Sequence, residues 1–111
     1  MMRIQAVVAL FPDLREVELL AWIEQRWVQP ELSLDEGQGP VFREIDVARV
    51  HMIYDLRHRL DVHEETMPLV LSLVDQMYEL RRNLKAMTRA LDQQSDDVRS
   101  AVLRALGDGA K

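Results

Sequence analysis

VFREIDVARVHMIYDLRHRLDVHEETMPLVLSLVDQMYEL, residues 41–80, contains a short β-like run followed by two helices. Val41 and Phe42 make the β-like run. Asp46 is a good helix N-cap, and Ile45 before it can pack on Val50 as a hydrophobic staple. The helix that follows carries Leu56-Arg57-His58-x-Leu60 and runs to about residue 60, with Val50, Ile53, Tyr54, Leu56 and Leu60 as its buried stripe. Residues 61–66 are a polar break with capping potential. Pro68 suits the first turn of the next helix, which carries Leu71-Ser72-Leu73-Val74-Asp75.

Ahead of this stretch, Ile4, Val7, Val8 and Leu10 predict a first helix over 3–10, closed by Phe11-Pro12. Asp13 and Glu16 form a carboxylate capping box, after which Leu14, Val17, Leu20, Ala21, Ile23 and Trp27 recur at helical spacing. They predict a second helix from 14 to about 26, ended by Pro30. The polar run 33–40 reads as the turn of a hairpin with arms at 27–29 and 41–43, a candidate wing.

Behind the stretch, Val70, Met77, Leu84, Leu91 and Val98 alternate with Leu73, Leu80 and Met87 in a seven-residue repeat, with Gln94 its one polar member. Leu73, Met77, Leu80, Leu84, Met87 and Leu91 predict a seam between the fourth helices of a homodimer. The alternative is that a last helix over 96–106, capped by Ser95 and ended by Gly107, folds back through Val98, Val102 and Leu106 to cover the seam in one chain. The expected organisation is a winged helix-turn-helix-like domain over 1–66, a long helix over 67–93, a short helix over 94–107 and a frayed tail over 108–111. The fold class is mainly α, a winged helix-turn-helix with a β-hairpin wing and a long coiled-coil-like helix.

Composition narrows the function. A chain of 111 residues with 48% apolar and 30% charged residues describes one small globular domain. It has no cysteine, hence no disulfide and no thiolate metal site. No apolar run approaches the length of a membrane span or a secretory signal, so the cytoplasm is the default location and no membrane contact is expected. The net charge is −5, and only Lys85 and Lys111 are lysines. The docking logic of a winged helix-turn-helix places the second helix in the DNA major groove. Through residue 31, Arg3, Arg15 and Arg26 face Asp13, Glu16, Glu18, Glu24 and Glu31, and the wing adds Asp35 and Glu36 with no cation before Arg43. Carboxylates there repel phosphate and release no counterions, so DNA is a poor partner. A DNA-binding transcription regulator is kept as the alternative reading.

Nothing in the sequence supports an enzyme. There is no Gly-x-Ser-x-Gly elbow or phosphate loop, and Gly37-Gln38-Gly39-Pro40 reads as a turn. His51, Asp55 and His58 stand at i, i+4 and i+7, short of the four ligands of a structural zinc site. The pairs Glu64-Glu65 and Asp96-Asp97 flank helix starts, where capping and the helix dipole account for them.

Four elements, Trp27-Val28-Gln29-Pro30, Val41-Phe42, Leu56-Arg57-His58-x-Leu60 and Leu71-x-Leu73-x-Asp75, give the chain a family likeness in their order and spacing. It resembles the chaperone modulatory protein CbpM family, which shares the winged helix-turn-helix layout of MerR-type regulators. Residues 41–80 align with that family without insertion or deletion. The resemblance implies a modulator that binds the J-domain of a CbpA-type DnaJ co-chaperone and blocks its work with the DnaK chaperone, with no catalysis and no cofactor. J-domains present a basic helix to DnaK, so an acidic chain gains association rate and selectivity on that face. Candidate partner-binding residues are Arg57 and His58 from the shared motif, Asp75 and Glu79 on the fourth helix, and Asp55 alongside. Arg57 has a second reading as a surface pair with Asp61, and the motif leucines read mainly as core. Two departures stand out. The Trp-Pro-Gly that some members carry between the third and fourth helices is Glu64-Glu65-Thr66 here. Arg26 stands where a glycine often ends the second helix, so it must take a less comfortable backbone conformation or the helix must end differently.

Overall fold

The computed structural model describes residues 1–32 and 39–109, with backbone alone at 108 and 109. The chain divides into two units, Met1–Leu71 and Ser72–Lys111. In the first, β1 (Met2–Arg3) runs into α1 (Ile4–Val8), followed by α2 (Glu16–Glu24), β2 (Glu31–Leu32), β3 (Pro40–Phe42) and α3 (Glu44–Tyr54). A π-helical turn (Asp55–Arg59) and a 3-10 turn (Glu64–Thr66) lead to α4 (Met67–Asp92), whose first residues belong to this unit. The protein is mainly helical, with a small three-stranded antiparallel sheet and a long C-terminal helix.

β3 is the central strand. Met2 lies opposite Phe42 and Arg3 opposite Val41 on one side; Glu31 lies opposite Val41 and Leu32 opposite Pro40 on the other. The strand arms therefore differ from those expected at 27–29 and 41–43. Trp27 and Val28 are buried core residues, and the pairing begins at Glu31. Residues 33–38 of the expected hairpin turn lie outside the described residues. β1 is an addition to the expected elements, because two residues are too few to show the alternation that marks a strand. It takes Arg3 from the expected first helix, which ends at Val8.

The helices of the first unit and its central strand share one core: Ile4 and Val7 from α1, Leu19 and Trp22 from α2, Phe42 from β3, Val50 and Ile53 from α3, and Met67 and Leu71 from the start of α4. The capping box expected of Asp13 and Glu16 does not form. Asp13 takes φ +65°, Leu14 turns into the core, and α2 begins at Glu16 after an extended Arg15. At its other end the Trp27 amide donates to the Trp22 carbonyl at 3.0 Å and the Arg26 amide to the Ile23 carbonyl at 3.0 Å. This is a Schellman motif, and Arg26 occupies its left-handed position at φ +65°. A non-glycine residue there costs about 1–2 kcal/mol, partly offset because glycine loses more freedom on folding. Arg26→Gly is therefore expected to stabilise the protein by roughly 0.5 kcal/mol, raising the melting temperature by about 2–4 °C. A thermal melt followed by circular dichroism checks it.

Asp46 caps α3 from its third position and is not itself the N-cap residue. The helix starts at Glu44, and the buried Asp46 carboxylate accepts the Arg43 amide at 2.9 Å and Arg43 Nε and Nη2 at 2.9 and 3.1 Å. Ile45 is 71% exposed, so the expected staple does not form either. Burial disfavours the charged Asp46, but the hydrogen bonds from the Arg43 side chain and backbone outweigh it and hold the carboxyl below its ordinary value. A folded-state pKa below the unfolded value stabilises fully above about pH 4 and loses that contribution as pH falls through the folded-state value. Asp46→Ala is expected to cost about 1–2 kcal/mol at neutral pH. Below pH 4 the gap between variant and parent should shrink, as urea melts across pH would show.

The last part of α3 widens. The Leu60 amide reaches back five residues to the Asp55 carbonyl at 3.0 Å, and the Val62 amide reaches the Leu56 carbonyl at 2.9 Å, with Asp61 at φ +53°. A π-turn advances less rotation per residue than an α-turn, so residues beyond it leave the buried stripe. Leu60, expected in that stripe, is 68% exposed.

In the second unit α4 continues to Asp92, and α5 (Asp96–Gly109) follows a break at 93–95. Ser95 accepts the Val98 amide on its hydroxyl at 3.4 Å, as its N-cap role requires. Gly107 does not stop α5, since glycine permits a helix end without imposing one. Residues 108 and 109 of the expected frayed tail are helical, and 110–111 lie outside the described residues. The break places Val98 on α5, so the seven-residue repeat on α4 ends at Leu91.

Candidate partner-binding surface

The Leu56-Arg57-His58 motif lies on the π-turn, a form of backbone frequent at functional positions. Its packing against α2 is polar and aromatic. His58 Nε2 is 2.7 Å from Glu18 Oε1, the His58 ring stacks on Tyr54 at 4.7 Å and 17°, and the edge of Trp22 lies 6.5 Å away. Tyr54 in turn donates its hydroxyl to the Pro12 carbonyl at 2.7 Å and touches Phe11. These contacts join the end of α3 to Phe11-Pro12 in the α1–α2 connection and to α2 itself.

The expected site residues of this unit have local partners. Asp55 is 3.4 Å from His51 Nε2 and 3.5 Å from Arg59 Nη1, pairs that contribute little at a solvated surface. Arg57 donates to the Val62 carbonyl at 2.7 Å in place of the expected pair with Asp61. It also lines an open cleft of about 700 Å³ together with Trp27, His63, Glu64 and Glu65. Glu64 and Glu65 of the junction before α4 thus line that cleft and supply carboxylates to it. Of the motif leucines assigned to the core, Leu71 is buried and Leu56 half-buried, while Leu60 and Leu73 are exposed.

Asp75 and Glu79 belong to the second unit. Four residues apart on α4, they share one exposed face, and the seven-residue repeat puts that face away from Leu73, Met77 and Leu80. Along the seam, Leu73, Met77, Leu80, Leu84 and Met87 are 47–66% exposed, and Leu91 is half-buried. Val98, Val102 and Leu106 of α5 are exposed as well, so α5 does not cover the seam, contrary to the fold-back alternative.

Sequence reasoning missed two parts of the surface. Glu18 holds His58 from 40 residues away, a pairing that helical spacing cannot reveal. On α2, Val17 and Leu20 face solvent, although their spacing suggested core. A signal for this existed: Leu19 to Ile23 is apolar at every position, more than a one-sided helix can bury. Among the described residues, no group of His, Asp and Glu side chains gathers to hold a metal ion, and no helix is long and apolar enough to cross a membrane.

No protein-family model, curated protein or solved structure matches this chain. The functional reading therefore rests on its own residues.

Proposed function

We propose that the chain is a chaperone modulator that binds the J-domain of a CbpA/DnaJ-type co-chaperone and blocks its cooperation with DnaK. The observation that carries this reading is the charge of α2: Glu16, Glu18 and Glu24 with no Lys or Arg. In a winged helix-turn-helix protein this helix would meet phosphates, and carboxylates there oppose DNA and favour a basic protein surface. The order of two helices, a strand pair and a further helix, with β1 laid beside β3, supports the winged helix-turn-helix assignment. The CbpM-like motifs supply the class of partner.

Inhibition of this kind needs no chemistry beyond occupancy. Covering the basic J-domain face removes it from DnaK, and opposite charge accelerates the encounter. In this reading Asp55, Asp75 and Glu79 offer carboxylates to the partner, while Arg57 and His58 hold the π-turn in shape through Val62 and Glu18. The test is a pull-down of the organism's J-domain proteins, combined with J-stimulated DnaK ATPase. Capture with suppressed stimulation is expected. Retardation of a promoter fragment without capture of any J-domain would instead establish the MerR-like alternative.

The same reading includes a homodimer through α4. Leu73 to Leu91 spans about 27 Å of helix, and its exposed leucines and methionines need a covering surface. A second copy supplies one with the same 3–4 spacing. Asp75 and Glu79 stay outside such a seam, so pairing and partner binding do not compete for them.

A further inference from the structure

α2 presents an apolar strip where a solvated helix face should be polar. Val17 is 70% exposed and Leu20 45%, and Ala21 is exposed beside them. Their i, i+3, i+4 spacing sets the three on one face; Glu24 continues it one turn further and Glu16 borders it. We propose that this strip seats a basic amphipathic helix of the partner protein, with Val17 and Leu20 entering its apolar stripe and Glu16 and Glu24 pairing with flanking Lys or Arg. The proposal rests on the functional reading above and gives it a site that the motif residues do not include.

Charge selects this occupant over the others. A second copy would bring Glu16 and Glu24 against their own equivalents across a two-fold axis, and each chain already carries a net charge of −5. Nucleic acid and anionic lipid headgroups meet the same repulsion. A helix with an apolar stripe between cations satisfies both parts of the strip, a mode in which helix anchors at i, i+3 and i+4 fill a complementary surface. The strip is also firmly placed. Glu18 on His58 and Leu19 and Trp22 in the core fix α2 from behind, so little ordering is left for binding to impose.

The test uses the full chain labelled with ¹⁵N, titrated with a J-domain protein and, separately, with a designed Lys/Leu amphipathic peptide. A V17S/L20S variant should melt like the parent, because both side chains are solvated, yet bind the J-domain at least about tenfold more weakly. E16K/E24K should slow association and flatten its salt dependence. Equal J-domain binding by V17S/L20S and the parent overturns the seat and leaves the functional reading standing. If the parent binds no J-domain, the functional reading fails and the peptide judges the seat alone. Shifts confined to residues 16–24 and lost in V17S/L20S uphold it; no shift there overturns it.

Discussion

Phe42→Ala is expected to destabilise the first unit by about 3–5 kcal/mol, the loss seen when a fully buried aromatic is truncated. Phe42 is 0% exposed and sits on the strand that both β1 and β2 pair with, opposite Met2. Its ring belongs to the same core as residues of α1, α2, α3 and the first turns of α4, so few neighbours can move into the space without disturbing another element. Against a total stability of about 5–15 kcal/mol for a domain of this kind, the variant retains a small margin or none. Chemical denaturation should show the midpoint falling sharply. A fall of under 1 kcal/mol would mean that the core relaxes around the cavity far more freely than its packing implies.

Leu84→Asp combined with Met87→Asp is expected to convert the proposed α4 dimer into a monomer. Both positions are more than 60% exposed in one chain and adjacent in the 3–4 pattern, so pairing buries them and substitution places two carboxylates per chain in the seam. Each lost apolar side chain is worth about 1.5–3 kcal/mol on burial. Counting both chains, the dissociation constant should rise by at least about a thousandfold, equivalent to ~4 kcal/mol. Light scattering gives the result directly. The thermal transition of the first unit should persist in the variant, because among the described residues no core residue lies beyond Leu71. A parent protein that is already monomeric at working concentration would end the pairing proposal.

The helices were legible because apolar spacing survives errors in their ends. α2, α3, α4 and α5 all lie where the apolar spacing from Leu14 to Ile23, Val50–Ile53, the α4 repeat and Ser95 suggest, although the stripe read on α2 differs from the buried pair Leu19 and Trp22. What misled was local backbone chemistry. Asp13 and Asp46 look alike as caps, yet one adopts a left-handed turn and the other turns inward to Arg43. The π-turn is invisible to a 3.6-residue period, and this is why Leu60 was misassigned. Arg26 is the contrary case: its backbone conformation follows from its place after α2, since a chain leaving a helix toward Trp27 needs a left-handed residue there. Of the candidate site, the acidic character of α2 was readable from composition. The clamp between Glu18 and His58 was not, because it depends on how two helices distant in sequence meet.

The sheet has a bearing on how this protein behaves when crowded. Both outer strands, β1 and β2, are two residues long, and their partner β3 already has a neighbour on each side. Edges this short offer an incoming strand too few amide and carbonyl groups to template growth. Cross-β aggregation from the folded state is thereby disfavoured, and the aggregation hazard shifts to partly unfolded chains in which β3 has come free.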